Sequence, residues 1–331
     1  MVSPFHHHGG RLSAARAAFP DAPEPWLDLS TGINPQPWSG PRATADDLAR
    51  LPDPDALDDL ERLAAAAFGA DPARVCAVPG AEAGLRALPA LTGAHSVAIA
   101  SPTYGGHAEA WVSAGVLPKP IPLAGLEAAT AEALVLVHPN NPDGARLDPP
   151  WLEAQARRRS ERGRWSILDE SFVDATPRLS LCAAAIPRLV ALRSFGKFYG
   201  LAGVRLGFVV ADPAVVERLR ARLGDWPVSA EALVAGRGAY ADPDWAAATR
   251  ARLAEDGERL AALLAAAGFE PVGANALFRL VRHPDAAARF EALCRAGVLV
   301  RPFPHDPTWL RFGLPPAGHW SRLQSALETL P

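Results

Sequence analysis

Lysine is almost missing from these 331 residues: of 33 basic side chains only Lys119 and Lys197 are lysines, and the rest are arginine. A composition that uses arginine wherever a positive charge suffices raises the question of what arginine could not do at those two positions. Arginine stays protonated in a protein, whereas lysine can become a neutral, nucleophilic amine. Cysteine is scarce as well. Cys76, Cys182 and Cys294 are odd in number, far apart and outside CxxC spacing, which reads as reduced thiols in a cytoplasmic protein and not as a disulfide framework. The only histidine cluster, His6-His7-His8, consists of adjacent residues that rarely converge on one ion, so no metal is expected. No apolar run approaches the roughly 20 residues of a bilayer span, and the first residues lack the apolar core of a signal peptide. A net charge of -3 supplies no basic surface for nucleic acid or an anionic membrane.

Hydrophobic residues make up 49% of the chain, ample for a large core. Residues 1–40 are rich in Pro, Gly and small side chains and read as an arm that belongs to a smaller domain and covers the active site. From 41 to 212 a βα alternation dominates. Short, continuously apolar runs at 74–78, 95–100, 116–121, 133–138, 164–169, 188–193 and 205–211 read as strands. Helical stretches between them include 82–91 and 150–162, and a helix over 55–68 comes before. Such strands, apolar on both faces, imply a mostly parallel seven-stranded sheet covered by helices. From 213 to 331 the pattern changes to long helices over 213–223 and 243–267, strands at 275–281, 298–301 and 308–312, and helices near 285–296 and 318–329. The expected fold class is therefore α/β, a large domain with a smaller α+β domain.

Three predicted strands end in polar residues. Strand 133–138 runs into His138-Pro139-Asn140-Asn141-Pro142, strand 164–169 ends in Asp169-Glu170-Ser171-Phe172, and strand 188–193 runs into Ser194-Phe195-Gly196-Lys197. Asn141 to Asp169 and Asp169 to Lys197 are each 28 residues apart, enough for one strand-helix-strand crossover. Open α/β sheets build their sites at the carboxyl ends of strands, so Asn, Asp and Lys would face one crevice. Pro79-Gly80-Ala81-Glu82 follows another strand and opens a helix, where backbone N–H groups can face an anion.

These segments resemble the fold-type I pyridoxal 5′-phosphate (PLP) enzymes of the class I/II aminotransferase superfamily. The likeness is strongest to the branch that holds histidinol-phosphate aminotransferase and L-threonine-O-3-phosphate decarboxylase of cobalamin synthesis. It spans about residues 6 to 330 and implies a PLP-dependent transferase-like fold and a homodimer. Lys197 resembles the lysine that carries the cofactor as a Schiff base, Asp169 the carboxylate paired with the pyridine nitrogen, and Asn141 the amide on the ring's phenolic oxygen. Tyr104, one of three tyrosines, resembles the aromatic stacked on the ring. Gly80, Ala81, Glu82, Ser194 and Arg205 match the phosphate cradle. Arg311, in Trp309-Leu310-Arg311-Phe312-Gly313, resembles the arginine that grips the substrate carboxylate, and a planar fork suits that group. Asn34, in Thr31-Gly32-Ile33-Asn34-Pro35, resembles the family's amino-terminal active-site asparagine.

Three positions depart from the family pattern. Phe172 stands where relatives often have a tyrosine that bonds the phenolic oxygen. Leu51 stands where a tyrosine often reaches the neighbouring subunit's cofactor phosphate, and Gly196 replaces a common serine. The opening His8-Gly9-Gly10 looks like the decarboxylase branch, and there His8 and Gly9 would meet the phosphate of a small phosphorylated amino acid. The resemblance thus favours decarboxylation of L-threonine O-3-phosphate to (R)-1-amino-2-propanol O-2-phosphate and CO₂, with a histidinol-phosphate-type aminotransferase as the alternative.

Overall fold

The computed structural model describes residue 5 and residues 9–331. Thirteen strands among these residues, numbered along the chain, are β1 (Leu27–Asp28), β2 (Val75–Val78), β3 (Val97–Ala100), β4 (Pro118–Ile121), β5 (Ala133–Val137), β6 (Trp165–Asp169), β7 (Leu189–Ser194), β8 (Gly207–Val210), β9 (Glu270–Asn275), β10 (Phe278–Arg282), β11 (Val298–Leu299), β12 (Arg301–Phe303) and β13 (Asp306–Gly313). The chain divides into two compact units. One comprises residues 38–141 and 145–247, the other, among the described residues, 5, 9–37, 142–144 and 248–331.

The larger unit is built on one seven-stranded sheet, in the order β2-β8-β7-β6-β5-β3-β4. Only β8 runs against its neighbours. Six of the seven strands lie within the predicted apolar runs, and β7 extends one residue beyond its run to Ser194. β2, β3, β5, β6 and β8 are buried along their whole length because helices cover both faces of the sheet. One face packs Leu85, Leu88, Trp111, Val216 and Leu219 against Val135, Ile167 and Val209. The other packs Leu152, Ala156 and Ile186 against Leu134, Leu136 and Leu168. At roughly 1.5–3 kcal/mol for each large apolar side chain, these layers dominate the unit's stability. β4 differs. Pro118 and Pro120 withhold ladder donors, and the strand sits half exposed at the sheet edge.

The smaller unit carries the antiparallel sheet β12-β13-β10-β9, and β1 pairs in parallel with β11. The run 275–281, expected as one strand, begins in a hairpin turn at 276–277, and only 278–281 is strand, with the unforeseen β9 before it. The Asn275 side chain accepts the Leu277 N–H at 3.1 Å, a local bond that bends the chain and starts β10 three residues later. The amino-terminal segment is also less irregular than its composition suggests, with a helix at Leu12–Ala18.

The units divide at 247/248, whereas composition placed the break at 212/213. The helix Pro213–Leu223 packs against β2, and an unforeseen helix, Ala230–Tyr240, packs against the helix Pro54–Phe68. Ser229 caps that second helix by accepting the Ala232 N–H at 3.2 Å. No helix among the described residues is long and apolar enough to cross a membrane.

Beneath β6 and β7 lies a buried ion cluster. Arg193, 2% exposed, pairs with Asp174 and lies 3.4 Å from Glu170, with its guanidinium 4.1 Å from the centre of the Phe68 ring. Burial pushes the Glu170 carboxyl above its ordinary pKa, against the pull of Arg193. Removing the cation leaves two acids without their buried counter-charge. Arg193→Ala is expected to cost about 3–5 kcal/mol, read from the urea unfolding midpoint and slope. A loss under about 1 kcal/mol would mean that the cluster is already hydrated.

Candidate active site

The sheet delivers the candidate residues to one place. β2 and β5–β7 end on the same side, and β8 begins there. A cavity of about 220 Å³ opens at those ends. Gly80, Ala81, Glu82, Tyr104, Asn141, Asp169, Ser194, Lys197 and Arg205 all line it, so all nine residues assigned to the cofactor come together.

Asp169 closes β6 and is 4% exposed. Its Oδ1 accepts the Ser171 N–H at 2.9 Å and the Ser171 hydroxyl at 2.5 Å, and its Oδ2 lies 2.9 Å from His107 Nε2. Burial alone would raise the carboxyl pKa, but the hydrogen bonds from His107 and Ser171 outweigh it and hold the pKa below the ordinary value. The site therefore keeps a buried anion ready for a cationic partner.

Lys197 sits in the single-turn helix Phe195–Phe198, started by Ser194 at the end of β7. Its Nζ is 5.7 Å from the centre of the Phe172 ring, so the residue that departs from the family pattern forms the apolar wall beside the amine. Tyr104 donates its hydroxyl to Glu82 Oε2 at 3.2 Å. Burial first and then the Glu82 charge raise the phenol pKa, so the hydroxyl stays protonated.

The candidate anion cradle is shaped by two glycines. Gly80, at φ +85°, precedes the helix Ala81–Thr92, and a Cβ there would run into the Arg205 guanidinium. A Cβ on Gly207 would collide with the Ala81 backbone N. Arg205 itself takes a left-handed conformation at φ +58°, uncommon for a non-glycine residue and found where a site demands it. Its Nη1 donates to the Ala202 carbonyl at 3.0 Å, and it stands over the positive end of the helix. Gly196 also has no spare volume, because a Cβ there would lie 2.6 Å from Ala202 Cα. The serine common at that position therefore does not fit this backbone. Leu51, the other departure, is 68% exposed.

The substrate candidates belong to the smaller unit. Arg311 on β13 is 6% exposed, donates from Nη2 to the Ser30 carbonyl at 2.9 Å, and lies over the Phe278 ring. Its register partner on β12 is Arg301. Burial, and then the charge of Arg301, lower the Arg311 pKa. Asn34 is buried, and its Oδ1 accepts from Arg252 Nη2 at 2.9 Å and from the Gln36 N–H at 3.0 Å. Gly9 packs against Ser30, while His8 lies outside the described residues.

Sequence reasoning missed His107, Ser171 and Arg301. His107 could have been suspected from its place three residues after Tyr104, at the start of the helix Gly106–Ser113, where the two rings meet edge to face at 6.2 Å. Ser171 follows Asp169 at the spacing of a side-chain turn. Arg301 becomes visible only once β12 and β13 are paired.

A buried anion for a ring cation, a two-glycine cradle with an arginine for a phosphate and a lysine lining the same cavity fit PLP. The chain belongs to the class I and II aminotransferase family, whose model matches residues 24–330, and it is a PLP-dependent enzyme. Along almost its whole length it is 40% identical to the threonine-phosphate decarboxylase of Pseudomonas aeruginosa, over 97% of this chain and 96% of that protein. It is 41% identical to the protein of the same name from a Sinorhizobium species, over 98% of both. Its fold is that of the histidinol-phosphate aminotransferase of Sinorhizobium meliloti, solved with pyridoxal-5′-phosphate. The TM-score is 0.77 and the identity 23%, over 86% of this chain and 83% of that one.

His107→Phe removes the Oδ2 partner of Asp169 and leaves only Ser171 to oppose the effect of burial, so the carboxyl pKa rises. PLP affinity, measured by equilibrium dialysis, is expected to fall roughly 5- to 30-fold, the worth of about 1–2 kcal/mol. Unchanged affinity would show that Ser171 alone suffices.

Proposed function

We propose that this chain decarboxylates L-threonine O-3-phosphate to (R)-1-amino-2-propanol O-2-phosphate and CO₂ in cobalamin biosynthesis. The observation that carries this reading is the 40–41% identity, over nearly the full length, to two proteins named threonine-phosphate decarboxylase. The chemistry of the site supports it. Arg301 and Arg311, register partners on β12 and β13 whose charges act on each other, suit a doubly anionic amino acid better than a neutral one.

Bound PLP supplies an electron sink for the pair left on Cα when the bond to the carboxylate breaks. Lys197 would hold the cofactor covalently, and its amine would return a proton to Cα once CO₂ has left. Asp169, kept ionised, would hold a proton on the pyridine nitrogen. Asn141 would bond the phenolic oxygen without help from Phe172, and Tyr104 would cover one face of the ring. Ser194, Arg205 and the backbone N–H groups of Ala81 and Glu82, with Gly80 clearing the approach, would bind the cofactor phosphate. Arg311 and Asn34 would hold the substrate carboxylate end, while His8 and Gly9 would meet its phosphate. The bond that breaks is the one held perpendicular to the ring, so these anchors select the reaction by orientation. A cytoplasmic homodimer belongs to the same proposal. Three buried free cysteines suit a reducing compartment, and burial pushes all three thiols up to about 12.

The deciding assay offers L-threonine O-3-phosphate to the holoenzyme with and without a keto acid. The proposal expects CO₂ release that needs no keto acid. Amine transfer to the keto acid with the carboxylate retained would instead make the chain an aminotransferase of the histidinol-phosphate kind.

A further inference from the structure

Ser30 joins three groups that the roles above leave unconnected. Its Oγ accepts the Gly10 backbone N–H at 2.7 Å and donates to Asp28 Oδ1 at 2.6 Å. The same Asp28 oxygen accepts the Ser30 N–H at 2.9 Å, which fixes the hydroxyl and its peptide on one anchor. The Ser30 carbonyl accepts from Arg311 Nη2 at 2.9 Å. Both residues are buried, where an unmade hydrogen bond costs more than at a surface.

The backbone around them is tightly packed. A Cβ on Gly9 would collide with the Ser30 carbonyl, and one on Gly313 would collide with the Thr31 carbonyl. Gly313, two residues beyond Arg311, also donates its N–H to the Leu29 carbonyl at 2.7 Å. The segment 28–31 is thus held between the Gly9-Gly10 turn and β13. A shift of the Gly10 amide would free the Ser30 hydroxyl and let its carbonyl turn away from Arg311.

We propose that Ser30 is a positioning residue that couples docking of the Gly9-Gly10 turn to the orientation of the Arg311 guanidinium, and so tunes affinity for an anionic substrate. The link to affinity rests on the reading of Arg311 given under the proposed function, whereas the coupling between the turn and Arg311 does not. Because coupling is reciprocal, disturbing Arg311 must loosen the turn just as disturbing the turn must loosen Arg311.

The test uses the full-length holoenzyme. Amide hydrogen exchange is followed at Gly10, and KM and kcat are measured with L-threonine O-3-phosphate. Ser30→Ala keeps the carbonyl and removes the hydroxyl. It should speed exchange at Gly10 about tenfold and raise KM by about as much, with kcat within roughly twofold, as expected for one buried hydrogen bond. Arg311→Lys, which withdraws the donor from the Ser30 carbonyl, should speed the same amide. Gly9→Ala displaces the turn with Ser30 intact and should reproduce the faster exchange at Gly10 if Ser30→Ala fails to fold. Unchanged exchange in Ser30→Ala overturns the latch. Faster exchange there but not in Arg311→Lys overturns the coupling. Absence of any turnover by the parent enzyme would sink the substrate reading alone and leave the exchange results to decide the coupling.

Discussion

The site depends on keeping one carboxylate ionised inside a protein. Asp169 is nearly inaccessible to water, and burial by itself would favour its neutral form. Two hydrogen bonds from Ser171 and one from His107 reverse that preference. Much of the surrounding architecture serves this balance. β6 is buried along its length, so its end is rigid, and His107 arrives on a helix packed beneath the same sheet.

Charge is handled differently one residue further on. Glu170 points into the opposite environment, where Arg193, Ser180 and the Leu181 N–H satisfy it. Adjacent acids thus face two separate polar networks, one open to the cavity at the strand ends and one sealed in the core. The alternation of side chains along a strand produces this division. It allows the sealed cluster to brace the strand end without competing for the groups that tune Asp169.

Much of the sheet was legible in the sequence because a doubly covered strand must be apolar on both faces, and few other elements of four to six residues have that pattern. Most of the cofactor candidates were legible because they lie at or just past the ends of those strands, whereas Arg205 comes just before β8 begins. Local bonds that override the pattern were harder to see. The Asn275 side chain bends the chain at the start of an expected strand and pairs it with the unforeseen β9, and Ser229 started a helix that composition did not mark. The division at 247/248 was hidden because it reflects packing and not a change in residue type. His107 and Arg301 escaped because their meaning comes from partners far away in the chain, Asp169 and Arg311.

The proposed chemistry stands or falls with Lys197, at the tip of β7, as the covalent anchor for PLP. The chain makes this unusually easy to test because it holds only two lysines, and the other, Lys119, lies exposed on the edge strand β4. The most direct measurement is borohydride reduction of the PLP-loaded protein, followed by proteolysis and mass mapping of the pyridoxyl group. The account predicts one labelled peptide, containing Lys197, and a label close to one per chain. A label on Lys119, or none on either lysine in protein that retains its visible cofactor band, would contradict it.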